Sequence, residues 1–215
     1  MRRILIVDDH EVVRDGVKTI FEEQAGTAVF GDASTASEAL QLASEHTWDI
    51  VLLDLSLGGR SGLEVLKELK QIQPRTPVLI LSMHSEEQYA RRAFKAGAAG
   101  YVTKDSSRAE LSKAIDKVIK GGKYVSPILA EKLITYLEKA PDAAPQDTLS
   151  DREFEVMRLI ASGRTVSEIA NILALSDKTI STYRARILEK MGMKTNAELT
   201  RYVIQNRLAD GDESD

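Results

Sequence analysis

Hydrophobic residues in the first half of the chain fall into short runs separated by stretches of helical period. Arg3–Val7, Thr27–Ala33, Asp49–Leu53, Pro77–Leu81 and Gly100–Thr103 read as five strands. The first, third and fourth are nearly unbroken Ile, Leu and Val, the pattern of strands covered on both faces. Helices are expected between and after them, so the pattern predicts an α/β domain on a parallel sheet. A hydroxyl residue followed three positions later by Glu or Gln marks a helix start, because each side chain satisfies an orphan backbone N–H of the first turn. Thr35 with Glu38, Ser61 with Glu64 and Ser85 with Gln88 mark three such starts. In the last third Ser150 with Glu153, Thr165 with Glu168 and Thr195 with Glu198 mark three more, and Ser176 can cap a fourth helix.

Between the halves, Gly121-Gly122 ends a helix, Ser126–Lys139 reads as one more amphipathic helix, and Pro141–Asp147 is a polar, proline-punctuated linker. The expected organisation is an α/β domain over residues 1–120, a linker with one helix over 121–147, an all-α four-helix domain over 148–208 and an acidic tail over 209–215. A length of 215 residues agrees with two domains.

Composition narrows the function classes. At 43% hydrophobic and 29% charged the chain is too apolar to be wholly disordered. No run approaches the roughly 18–20 apolar residues that span a bilayer, and the start reaches Asp8-Asp9 too early for a signal peptide. A cytoplasmic protein with no membrane partner is expected. The absence of cysteine excludes disulfides, thiol nucleophiles and zinc–thiolate clusters, and three scattered histidines argue against a dedicated transition-metal site. A net charge of −4 argues against a uniformly nucleic-acid-binding surface, but the charge is unevenly spread. Only residues 148–206 are net positive, with nine basic against seven acidic side chains.

In an open parallel sheet, ligands bind beyond the carboxyl ends of the strands. Those ends are polar here: Asp8 and Asp9 after the first strand, Asp54 after the third, Ser82 after the fourth and Lys104 after the fifth. Converging carboxylates repel unless a cation joins them, and a hard divalent ion such as Mg²⁺ suits an all-oxygen set. One aspartate could then attack a phosphoryl donor, with the ion and Lys104 offsetting charge on the equatorial oxygens. Taken singly, each residue is equally well a turn residue, a cap or a solvated charge.

In the last third, Thr165–Leu173 and Asp177–Met191, joined through Ala174-Leu175-Ser176, have the lengths and chemistry of a helix-turn-helix. Ile180, Ile187, Leu188 and Met191 can face the core of that domain. The remaining surface carries Lys178, Thr179, Ser181, Thr182, Arg184, Ala185, Arg186 and Lys190, which pairs cations for phosphates with small groups able to approach base edges. A solvated helix of a small bundle would show the same mixture.

The segments Ile4–Asp9, Val51–Asp54, Pro77–Ser82 and Gly100–Lys104 stand in the order found in two-component receiver domains, and the chain resembles them throughout residues 1–120. Leu149–Val156, Ala161–Gly163, Glu168–Ala170, Leu175–Ile180 and Glu189–Gly192 resemble the LuxR-type domain of the NarL/FixJ class. This resemblance implies a flavodoxin-like, doubly wound five-stranded sheet of order 2-1-3-4-5. It implies phosphorylation of Asp54 by a sensor histidine kinase, direct Mg²⁺ ligation by Asp9 and Asp54, water-mediated help from Asp8 and a backbone carbonyl ligand from Ser56. It also implies a switch through Ser82, Tyr101 and Lys104, with Tyr101 turning inward. By the same analogy, bases are read among Ser181, Thr182 and Ala185. Phosphates of double-stranded DNA are met by Lys178, Thr179, Arg184, Arg186 and Lys190.

Three departures stand out. Leu57-Gly58-Gly59-Arg60 lies where such regulators often carry proline, which suggests a mobile loop, Met83 after Ser82 is bulky where many receivers carry a small residue, and Tyr183 stands where histidine is frequent. The expected function is therefore a phosphorylation-dependent, DNA-binding transcriptional regulator, not an enzyme, that dimerises when phosphorylated. The alternatives are an Mg²⁺-dependent aspartyl-phosphate phosphohydrolase and a receiver-type DNA binder indifferent to phosphorylation. The phosphohydrolase is disfavoured by Ser56, which stands where such enzymes need a second acid.

Overall fold

The computed structural model describes residues 2–25, 28–57, 60–83, 86–131, 134, 144–206 and 208. Two compact units divide at residues 133 and 134. In the first, β1 (Arg2–Val7), β2 (Ala28–Ala33), β3 (Ile50–Leu53), β6 (Val78–Ser82) and β7 (Gly100–Thr103) form one parallel sheet in the order β2-β1-β3-β6-β7. Counted among themselves, these five strands have the order 2-1-3-4-5. Each lies within a residue of its expected span except at Thr27, which falls outside the described residues.

Alternation along each strand sorts side chains to the two faces. Ile4 and Ile6 of β1, Ile50 and Leu52 of β3, and Leu79 and Leu81 of β6 join one core cluster. It contains Val17, Ile20 and Phe21 of α1 (Glu11–Ala25) and Leu111, Ala114, Ile115 and Val118 of α5 (Arg108–Ile119). The other face is served by α2 (Ala36–Glu45), α3 (Gly62–Ile72) and α4 (Glu86–Lys95), which bury Ala39, Leu66 and Ala90 among others. Burying both faces leaves functional groups only the strand ends.

Differences from the sequence reading are local. The pair Ser56↔Ser61 and Leu57↔Arg60 forms an antiparallel ladder, β4 (Ser56–Leu57) with β5 (Arg60–Ser61). Arg60 also ion-pairs with Glu68. The predicted mobile loop is thus closed at its base, although Gly58 and Gly59 lie outside the described residues. Ser61 precedes α3 but makes no side-chain cap, because it is a buried member of that ladder. Thr35, Ser150, Thr165, Ser176 and Thr195 do cap their helices as expected. Ser85 is not described.

After α5 the chain returns to the sheet. Tyr124 bridges Gly100 in parallel, and its carbonyl accepts from the Tyr101 N–H at 3.2 Å. Its phenol donates to Glu110 at 3.1 Å. Residues 127–131, α6, begin a helix capped by Ser126. Most of the predicted Ser126–Lys139 helix beyond them is not described.

In the second unit, a 3₁₀ turn (Pro145–Thr148) precedes α7 (Asp151–Ala161), α8 (Val166–Ile172), α9 (Asp177–Met191) and α10 (Asn196–Gln205). Phe154, Met157, Ile169, Ile180, Ile187, Leu199 and Val203 are buried among them. Leu188, expected in the core, is only half-buried. The turn between α8 and α9 ends α8 with Leu175 N–H donating to Ala170 C=O at 2.9 Å. This bond places Ala174 in the left-handed region, at φ 51°, where glycine is normally used. Ala174→Gly is accordingly expected to raise stability by about 0.5–1 kcal/mol, read as a higher urea midpoint at constant m-value.

Candidate functional site

Backbone bonds across the strand ends build the acidic site. Asp54 N–H donates to Val7 C=O at 2.8 Å, Asp8 N–H to Ala33 C=O at 3.0 Å and Lys104 N–H to Ser82 C=O at 2.9 Å. The chain after Asp54 is held by Gly62, where a Cβ would lie 2.4 Å from Asp54 O, so only glycine allows α3 to start so close. Lys104 Nζ reaches Asp8 Oδ2 and Asp54 Oδ2, both at 2.7 Å. Asp8 and Asp54 are each 2% exposed, whereas Asp9 and Ser56 are exposed. Ser82 and Tyr101 are fully buried on the neighbouring strands, so the aromatic ring already lies inside.

Burial pushes the Asp54 carboxyl above its usual range, against the Lys104 ammonium and the Ser56 N–H that hold it down, and Asp8 pushes it up further. Burial works to lower the Lys104 pKa, but its bonds to Asp54 and Asp8 outweigh that and raise it. Asp54 Oδ1 is buried with no hydrogen-bond partner. A buried carboxylate oxygen left without a donor is costly and is suited to a cation. The donor set of hard oxygens fits Mg²⁺.

The structure also brings in a residue the sequence reading discounted. Asp8, Asp9, His10 and Asp54 each place one ligand-capable atom within 4.8 Å of the others. His10 Nδ1 lies 2.7 Å from Asp9 Oδ1 and 3.3 Å from Asp8 Oδ1. Its adjacency to the acidic pair was the available signal; scatter of the histidines along the chain hid it. Arg14 Nη1 donates to Asp8 C=O at 2.8 Å and steadies the same turn.

On α9, Lys178, Ser181, Thr182, Ala185 and Arg186 are exposed and Thr179 is half-buried. Lys178, Thr179, Thr182, Tyr183 and Arg186 line a concavity of about 260 Å³. Two expected phosphate ligands are engaged within the unit instead. Lys190 Nζ donates to Glu153 Oε2 at 2.6 Å, and Arg184 Nε to Asn196 Oδ1 at 2.6 Å. Glu153 is 3% exposed and needs a counter-cation, which is the physical reason the exposed Lys190 side chain reaches to it.

Residues 4–116 match the response regulator receiver domain, and residues 147–203 match the bacterial regulatory proteins of the luxR family. The chain is 35% identical over 211 residues to the response regulator GacA of Pseudomonas aeruginosa, covering 98% of this chain and 99% of that protein. This chain is a response regulator of the NarL/FixJ class. The response regulator UvrY of Escherichia coli K12 is 33% identical over 213 residues, covering 99% of this chain and 98% of that protein. Among solved structures, a LuxR-family two-component response regulator from Aurantimonas is 40% identical, with a TM-score of 0.61 over 65% of this chain and 99% of that one. RcsB of Salmonella typhimurium is 26% identical, with a TM-score of 0.68 over 95% of this regulator and 97% of that chain. A second RcsB structure, bound to promoter DNA in the presence of the phosphomimetic BeF₃⁻, is 25% identical over 94% of this chain and 97% of that one, with a TM-score of 0.59. Among the described residues no helix is long and apolar enough to cross a membrane.

Proposed function

We propose that this regulator takes a phosphoryl group onto Asp54 from a phosphohistidine of a sensor kinase and thereby controls binding of double-stranded DNA by α9. The observation that carries the reading is the buried Asp54, with Oδ2 held by Lys104 and Oδ1 without a partner. An Asp54 oxygen attacks phosphorus, the phosphorus–nitrogen bond of the donor breaks, and the donor imidazole leaves. Lys104 stands where charge develops on the transferred group. Asp9, Asp54 and the Ser56 carbonyl would hold Mg²⁺, with Asp8 acting through water. When bound, the ion supplies charge neutralisation between the carboxylates and the phosphoryl oxygens. Ser82 offers a hydroxyl to those oxygens.

We assign the functional division as a receiver over 1–120, a connector over 121–147, a reader over 148–208 and an acidic tail over 209–215. Coupling runs from Ser82 and Tyr101 into the connector, supported by the Tyr101 N–H bond to Tyr124. A Cβ on Gly100 would lie 2.8 Å from Leu79 Cδ1 and 3.1 Å from the Tyr124 Cβ and carbonyl oxygen. Gly100→Ala is therefore expected to detach Tyr124 from β7. Phosphate uptake should persist while the gain in DNA affinity on phosphorylation shrinks several-fold, with faster amide exchange at Tyr101 as the structural readout.

Two readers on a phosphorylated homodimer would match paired half-sites. The DNA-bound RcsB structure supports the reader assignment by likeness. A cytoplasmic location accords with a kinase donor and a DNA target. Binding of genomic DNA fragments, with and without acetyl phosphate and Mg²⁺, tests the whole reading, with Asp54→Ala as control. Equal binding in all arms would leave only a phosphorylation-independent DNA binder, and sustained phosphate-ester turnover would favour the phosphohydrolase.

A further inference from the structure

We infer that the receiver carries a DNA contact of its own: the exposed lysines Lys113, Lys117 and Lys120 of α5, Lys123 after it and Lys95 at the end of α4 form a sequence-independent seat for the phosphate backbone of double-stranded DNA. This rests on the reading of the chain as a DNA binder and extends it to a surface outside α9.

Helical period puts three of the charges in line. Lys113, Lys117 and Lys120 stand at i, i+4 and i+7 on α5 and are exposed, while Ala114, Ile115 and Val118 between them join the core. At 1.5 Å per residue the row is about 10 Å long. Ring contacts carry it on towards α4. Lys117 Nζ lies 5.9 Å from the centroid of the Tyr124 ring, and Lys123 Nζ lies 6.0 Å from that of Phe94, the residue before Lys95. None of the five lysines is in an ion pair among the described residues. The acids of α5 leave the row uncancelled, because Glu110 accepts from the Tyr124 hydroxyl at 3.1 Å and Asp116 is half-buried. Residues 1–120 hold 16 basic against 18 acidic side chains, so the cluster runs against the charge of its own domain.

The make-up of the patch selects nucleic acid over a protein. Among the described residues no exposed large hydrophobic side chain lies between Lys95 and Lys123, so the apolar centre of a protein interface is missing. Lysine is also depleted in such interfaces. As a point charge it meets phosphate without the bidentate geometry that arginine offers a carboxylate. Duplex DNA carries one negative charge per about 1.7 Å of axis, so a row of about 10 Å faces several phosphates. Contacts of this kind add affinity and position without reading bases.

Binding of the full chain to a long random-sequence duplex would be followed against salt concentration. The proteins are the wild type, the combined Lys113→Gln, Lys117→Gln and Lys120→Gln variant, and Lys113→Gln with Lys120→Gln, which keeps the Lys117–Tyr124 contact. The slope of log affinity against log salt should be shallower by about 2.7 in the triple variant and by about 1.8 in the double. Between about 50 and 200 mM salt the wild type should therefore lose roughly 40-fold more affinity than the triple variant. Reductive methylation read by mass spectrometry should find the five lysines protected by the duplex. Lys18, tied to Asp32 of β2 at the opposite edge of the sheet, should be unaffected. Unchanged slopes, or row lysines as reactive with DNA as without it, would overturn the inference and leave the patch to an acidic protein or to solvent. Shallower slopes in Lys178→Ala and Arg186→Ala would then show that the DNA reading itself stands. A wild-type chain that binds no duplex would overturn both.

Discussion

Asp54→Asn is expected to give a chain that accepts no phosphoryl group yet unfolds less readily at neutral pH than the wild type. Loss of the nucleophile brings the base-labile adduct formed with acetyl phosphate to background, read by intact-protein mass spectrometry. The gain in stability comes from the same burial that makes the site reactive. Asp54 is 2% exposed, and its carboxyl is held above the ordinary range by burial despite Lys104, with Asp8 adding to the rise. An acid whose folded pKa lies above its unfolded value favours folding fully below the unfolded pKa, and that support is lost as pH rises through the folded pKa. As pH rises through that folded pKa the wild type therefore takes on the penalty of an ionised Asp54. An asparagine carries none and leaves Lys104 paired with Asp8. A gain of about 1 kcal/mol at pH 7 is expected. It should disappear below about pH 4, where the wild-type carboxyl is protonated. Denaturant midpoints at the two pH values decide it: a variant no more stable at pH 7 would mean that Asp54 is not held at a cost.

The sheet and the acidic cluster were legible because both follow from local patterns. Near-continuous Ile, Leu and Val identify strands buried on two faces, and polar residues at the ends of such strands have only one crevice to share. Asp8, Asp54 and Lys104 meet there at 2.7 Å. Tertiary context hid the rest. Ser61 has the spacing of a cap, but its pairing with Ser56 across the β4–β5 ladder takes the residue into the interior. The close approach at Gly62 depends on where Asp54 and Leu55 lie in space, which no spacing rule encodes. Tyr124 reads as linker because its partner is Gly100, two dozen residues earlier. His10 was outweighed by a count of histidines, although its neighbours in sequence are its neighbours in space. On α9 the periodicity separated the core face from the solvent face correctly at Ile180, Ile187 and Met191. It could not tell which cations on the solvent side were engaged within the domain.

That distinction sets the second large effect. Lys178 and Arg186 are exposed and line the concavity on α9, whereas Lys190 is bound to Glu153 and Arg184 to Asn196. Each cation that neutralises a DNA phosphate contributes about −0.9 to the slope of log affinity against log salt. Lys178→Ala and Arg186→Ala should each make the slope shallower by about that amount, and the double variant should bind DNA roughly 30-fold more weakly at about 0.15 M salt. Lys190→Ala should leave the slope unchanged and lower stability instead, by about 2 kcal/mol, because a nearly buried carboxylate loses its counter-cation. The pH dependence gives a further check. Burial works to raise the Glu153 pKa, but Lys190 and the Ser150 N–H and hydroxyl outweigh it, so the folded value is depressed. Its contribution to stability is present above the unfolded carboxylate pKa and is lost as pH falls through the folded one. Lys190→Ala should shrink this acid-sensitive part, narrowing the stability gap between wild type and variant as pH falls below about 4. Salt-dependent DNA binding and denaturant curves on the same proteins separate the two roles. A slope change in Lys190→Ala equal to that in Lys178→Ala would show that Lys190 leaves Glu153 for a phosphate on the DNA.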